Sequence, residues 1–173
     1  MDEALENTLG ALALALSDDI GASIQTSGFV QSEVEAIGHL GHAPEMTISD
    51  LSSAIALSHA ATVRLVTRLE AKGLVSRSQS TLDARKVILK LTAQGEDLHE
   101  TLLGRRQGRL RSALQVLSPQ EKSQFSTLTN RILRAMLRDE SHAFRVCRLC
   151  DRPVCASCPV EAEMVERSAT SAE

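Results

Sequence analysis

The chain has 173 residues, 43% of them hydrophobic but only 2% aromatic with neither Trp nor Tyr, and a formal net charge of −3. That length supports one full hydrophobic core and a small appendage rather than two ordinary domains, and a core of Leu, Ala, Val and Ile favours packed helices over a sandwich or barrel. No apolar run is long enough to span a bilayer, and the start Met1-Asp2-Glu3 is acidic where a secretory signal is basic, so a cytoplasmic protein is expected.

Leu5, Leu9, Leu12, Leu16 and Ile20 recur every three or four positions and predict one face of a long helix from Glu3 to about Ile24. A second helix is expected from about Phe29 to Leu40, closed by Gly41 and Pro44. Thr47, with Asp50 three residues on, is placed to cap a short helix over Ile48 to Ala54, and Leu57-Ser58 makes the following turn. Ser58 caps a fourth helix to about Lys72, with Val63, Val66 and Leu69 inward and Gly73 at the left-handed position after its end. Leu74 to Ser78 and Val87 to Leu91 read as the strands of a hairpin with a polar loop. Thr92 caps a long helix through about Leu117, and Ser118-Pro119 with Glu121 opens a last one carrying Phe125, Leu128, Ile132, Leu133 and Met136.

Charge is unevenly placed: residues 1 to 50 hold nine acids and no Lys or Arg, whereas from Leu51 to Lys90 seven basic residues face two acids, a local charge of +5. A basic patch on an acidic chain suggests a polyanion partner. Two helices joined by a short turn form a helix-turn-helix, and the second offers Ser58, His59, Thr62, Arg64 and Arg68 as its exposed side, short hydrogen-bonding groups first and longer cations after, as a major-groove reader needs. An Arg at a hairpin tip is drawn to the negative minor groove, which nominates Arg85, with Asp83 and Lys86 beside it.

The stretch SHAATVRLVTRLEAKGLVSRSQSTLDARKVILKLTAQG, residues 58 to 95, resembles the MarR family of bacterial transcriptional regulators (multiple antibiotic resistance regulator type), on its "RLEAKGLVSR" exit, the Asp83-x-Arg85 pair and the "LTAQG" helix start. The resemblance covers roughly residues 3 to 138. It implies a mainly α fold with a small β-hairpin wing: a winged helix-turn-helix lobe over about 29–92 and a helical dimerisation frame over about 3–24 and 93–138, within one domain of 1–140. It also implies that Asp83 orients Arg85. A further implication is a homodimeric regulator, most often a repressor, bound to palindromic double-stranded DNA and responsive to a small-molecule effector or redox state. Thr81 and Lys86 stand where the family often has a further wing Asp and Arg. Arg105, Arg106, Arg109 and Arg111 are expected either at DNA phosphates or, preferably, in salt bridges between subunits.

Beyond this region, Cys147, Cys150, Cys155 and Cys158 are spaced C-x2-C-x4-C-x2-C, with no other cysteine in the chain. Four thiolates suit a tetrahedral soft metal, zinc being the first choice; an iron-sulfur cluster, a metal-free thiol switch, or no cofactor remain as alternatives. Pro153 and Pro159 favour turns there, Arg145, Arg148 and Arg152 favour thiolate, and the chain after Glu161 is expected to fray. The segment divides into a cysteine region of 141–160 and a flexible tail of 161–173. His39 and His42 form a further candidate metal pair. No catalytic constellation stands out, so no enzyme is expected; the competing readings are a small redox or electron-transfer protein built on the cysteines and an interaction adaptor without DNA binding.

Overall fold

The computed structural model describes residues 2–25, 28–43, 45–80, 83, 85–151, 154–155 and 157–170. In chain order it contains helices α1 (Asp2–Gln25), α2 (Gln31–His42), α3 (Ile48–Ala54) and α4 (His59–Ala71), strands β1 (Val75–Gln79) and β2 (Val87–Leu91), and helices α5 (Ala93–Ala113), α6 (Pro119–Met136), α7 (Glu140–Cys147) and α8 (Pro159–Thr170). A 3₁₀ turn, Leu114–Val116, follows α5. Pro44 and Thr81 lie outside the described residues.

Local chemistry fixes the helix-turn-helix. At the start of α3, Thr47 N–H donates to Asp50 Oδ2 at 2.8 Å while Asp50 N–H donates to Thr47 Oγ1 at 3.2 Å, a reciprocal cap that satisfies two otherwise orphaned donors. Ala56 turns the chain with φ +53, a left-handed conformation that is strained for a residue bearing a Cβ. Ser58 then caps α4, its Oγ accepting from Ala61 N–H at 3.3 Å. The far end closes as a Schellman motif: Gly73 adopts φ +71, its N–H donates to Glu70 O at 2.8 Å, and Leu74 N–H donates to Leu69 O at 3.0 Å.

The hairpin pairs Val75 with Leu91 and Gln79 with Val87, antiparallel. Leu89 N–H also donates to Met46 O at 2.8 Å, so the segment before α3 adds a short third edge. Thr92 caps α5 and donates its hydroxyl to Gly73 O at 2.6 Å, tying the end of the recognition helix to the start of the next. The main core joins α2, α3, α4 and the hairpin through Ile37, Leu51, Leu65, Val66, Leu69 and Leu89. Ile24 of α1 and Leu102 of α5 reach the same core.

The first helix runs as expected, and Leu5, Leu9 and Leu12 of its apolar stripe are exposed in the single chain. Two expectations for the C-terminal segment need correction. The tail after Glu161 does not fray over the described residues: Pro159 opens α8, whose Glu163 accepts from Arg134 Nε at 2.9 Å and from Arg167 Nε at 2.8 Å, while Arg134 also binds Glu166. Pro159 occupies the first helical turn, where its missing N–H is not needed, instead of marking a loop. Leu137, Ala143 and Val160 form a second, smaller core between α6, α7 and α8, with Cys147 and Cys158 packed against it. No described helix is long and apolar enough to cross a membrane.

Candidate DNA-binding interface and cysteine cluster

Helix α4 buries Thr62, Leu65, Val66 and Leu69, which places Ala60, Arg64, Thr67 and Ala71 on the outward face by the three-and-four spacing of a helix. Thr62 is therefore removed from the expected set of DNA contacts. It is 0% exposed and its hydroxyl donates to Ser58 O at 3.1 Å, which satisfies the one group that would resist burial. Thr67, three beyond Arg64, is exposed on the same face. Ser58, His59 and Arg64 are exposed as expected.

Arg68 is half exposed and leans toward Glu33 of α2, with Nε 3.8 Å from Oε1. Glu33 is buried at 3% exposure, and both its carboxylate oxygens accept from Lys72 Nζ at 2.9 Å. Lys72 Nζ also lies 4.7 Å from the Phe29 ring centre, a cation–π contact. Glu33 thus anchors the C-terminal end of the recognition helix to α2. Sequence reasoning missed it because its partner follows 39 residues later.

At the wing, Arg85 is 93% exposed at its side chain, and Asp83 Oδ1 accepts from both its Nε at 3.3 Å and its backbone N–H at 3.0 Å. Asp83 therefore holds Arg85 at the tip, as the resemblance implied. Lys86 N–H donates to Asp83 O at 2.9 Å and closes the turn. Its side chain borders a groove with Thr47, Ile48, Ser49 and Asp50 at the start of α3, so wing and helix-turn-helix offer one continuous surface.

The arginines of α5 are placed within the chain. Arg109 Nη1 lies 3.5 Å from Asp19 Oδ1 of α1, and Arg105 Nη1 donates to Ser23 O at 3.4 Å. The preferred expectation of intersubunit pairing is corrected for these two, which clamp α5 to α1 of the same chain.

Cys147, Cys150, Cys155 and Cys158 line one groove between α7 and α8 with Ala143, Phe144 and Met164, and no disulfide joins them. Burial first, then the neighbouring Cys158 and Cys150, push the Cys155 thiol up, opposed by Arg106. Arg106, and not Arg145 or Arg148, is the cation acting on Cys155. Arg148 instead lies 3.0 Å from Glu35 Oε1, an ion pair without hydrogen-bond alignment at Nε, and donates from Nη1 to Arg145 O at 2.6 Å. Arg152 and Pro153 lie outside the described residues. His39 is buried on α2 with no partner for Nε2 among the described residues, and His42 meets His99 edge-on at 5.3 Å. Among the described residues, no three His, Cys, Asp or Glu side chains already stand in a metal-holding arrangement.

Residues 31–87 match the MarR family model. The chain is 32% identical over 96 residues to the HTH-type transcriptional regulator YdgJ of Bacillus subtilis, a match covering 56% of this chain and 58% of that protein. It is 24% identical over 136 residues to the HTH-type transcriptional repressor MdtR of the same organism, covering 79% and 88%. A MarR family protein structure from Bacillus stearothermophilus shares the fold with a TM-score of 0.70 at 24% identity, covering 79% of this chain and 95% of that one. The chain thus spans little more than half of its first relative's length but most of the second's. With its helix-turn-helix, wing and long flanking helices, the chain is similar to MarR family winged helix-turn-helix transcriptional regulators, the family match itself spanning residues 31–87.

Proposed function

We propose that this regulator binds double-stranded DNA sequence-specifically as a homodimer, each chain presenting α4 to the major groove and its wing to the adjacent minor groove. The observation that carries the reading is the pair of exposed cationic elements: Arg64 and Thr67 on the outward face of α4, and Arg85 at the wing held by Asp83. Arg64 supplies a planar fork for guanine, and Lys86 and Ser58 supply phosphate contacts.

Dimerisation follows from unpaired apolar faces. Phe125, Leu128, Ile132 and Met136 recur along α6 at exposures of 39% to 63%, and no residue of that helix is buried in the single chain. These residues, like the exposed leucines of α1, leave an apolar helix face without cover in the single chain. Covering the α6 residues amounts to about two fully buried side chains, or roughly 3–6 kcal/mol per chain. A two-fold pair would set the recognition helices about one DNA turn, roughly 34 Å, apart.

The family is one of regulators, which leaves the enzyme class without support. In vitro selection from randomised duplexes tests the proposal: a palindromic site should be enriched by the wild type and lost with Arg64→Ala. Failure to enrich any sequence would refute it.

A further inference from the structure

The first cysteine pair sits in a joint between the two halves of the molecule. Gly38, on the buried face of α2, has no room for a side chain: a Cβ there would lie 2.1 Å from Arg148 O and 3.1 Å from Leu149 Cδ2. Leu149 packs on the main core, Arg148 pairs with Glu35 of α2, and α7 rests on α3. From the other side, Gln107 Nε2 of α5 donates to Asp151 Oδ2 at 2.6 Å. Residues 147–151 thus touch the recognition lobe and the dimer frame at once.

The second pair leads directly into α8, which packs on α6 and α7. What orders this C-terminal unit by burial is slight, only Leu137, Ala143 and Val160 among the described residues. Units with so small a core generally rely on a metal or on disulfides, and no disulfide is formed here. All four thiols instead open onto one groove.

We infer that Cys147, Cys150, Cys155 and Cys158 bind one zinc ion, and that this ion locks the joint between recognition lobe and dimer frame so that its occupancy sets operator affinity. The metal site stands independently; its regulatory consequence rests on the DNA-binding reading above. Zinc binding draws the two pairs together, since they do not already stand at metal-holding positions. Each thiol surrenders its proton: Zn²⁺ and four Cys–SH give a tetrathiolate of charge −2 and four protons, with no change of oxidation state. Four soft sulfur ligands exclude calcium and magnesium, which take oxygen.

The test uses the full-length dimer, prepared anaerobically, stripped by chelator and titrated with zinc against a chromophoric competitor. Cobalt(II) serves as the spectroscopic probe, and operator affinity is measured with and without zinc. Expected are one zinc per chain, a cobalt spectrum of tetrahedral thiolate type, and an operator affinity changed by about tenfold, a usual size for coupling between sites. Cys155→Ser with Cys158→Ser should abolish zinc retention while the dimer persists. Gly38→Ala keeps all four ligands but displaces the wedge, so it should retain zinc and lose most of zinc's effect on DNA. Absence of zinc uptake, an iron-containing coloured cluster, or disulfide formation in place of metal retention would each overturn the site. Zinc uptake with unchanged operator affinity would overturn the lock. Failure to bind duplex DNA in either metal state would instead strike the functional proposal, with the metal titration unaffected.

Discussion

Replacing Arg85 by Ala removes a cation that touches nothing essential to the fold. The Arg85 side chain is 93% exposed and its ion pair with Asp83 spans 3.3 Å in water, a contact of about 0–1 kcal/mol at most. The thermal midpoint should therefore barely move. Binding should change, because each wing contact with the phosphate region contributes about 0.9 to the log–log salt slope, or about 1.8 for a dimer with two wings. Between 50 and 200 mM salt that slope difference amounts to roughly a 12-fold smaller loss of affinity in the variant. Fluorescence anisotropy on a labelled operator at four salt concentrations reads the slope directly. A variant with weaker binding but wild-type slope, or with an altered melting midpoint, would refute the placement of Arg85 at the backbone of the minor groove.

Thr62→Val should leave operator affinity within about twofold, because only a buried hydroxyl bond worth about 0.5–1.5 kcal/mol of stability is lost; a tenfold loss in the same anisotropy assay would return Thr62 to the interface. Glu33→Ala should lower stability by about 1–2 kcal/mol, the loss of a charge-assisted bond reduced by the partial exposure of Lys72, read by urea denaturation. Ile132→Asp should shift the protein toward monomer in sedimentation and weaken operator binding with it; an unchanged dimer would remove α6 from the interface. Burial lowers the pKa of both His39 and His99 below the ordinary 6.5, more than Glu35 or Glu100 and Asp151 raise them. The unfolded chain then takes up protons that the folded one resists, so stability is full above about pH 6.5 and falls as pH drops through the folded values. Melting from pH 8 to 5 checks this, and His39→Gln should flatten the decline.

How much of this was readable from residues alone varied with how local the cause was. The caps at Thr47, Ser58, Thr92 and Ser118, and Gly73 after α4, act within four or five residues, and their elements are found where sequence reasoning puts them. The face of α4 was read slightly off: Val63 looked like the inward residue, yet Thr62 is buried because its hydroxyl bonds back to the preceding turn. Glu33 gave no sign of its burial, since Lys72 and Arg68 come to it through the tertiary fold. Helices α7 and α8 escaped notice because cysteines and prolines read as loop, whereas Asp139 caps the first, its Oδ1 accepting from His142 N–H at 2.8 Å, and contacts with α6 hold the second.

Competitive anisotropy on a selected operator against a scrambled duplex of equal length asks whether α4 and the wing read duplex DNA as a unit. A preference of about 10³-fold or more for the selected site is expected at physiological salt, lost with Arg64→Ala and reduced with Arg85→Ala. Equal affinity for both duplexes, or a preference that survives Arg64→Ala unchanged, would contradict it.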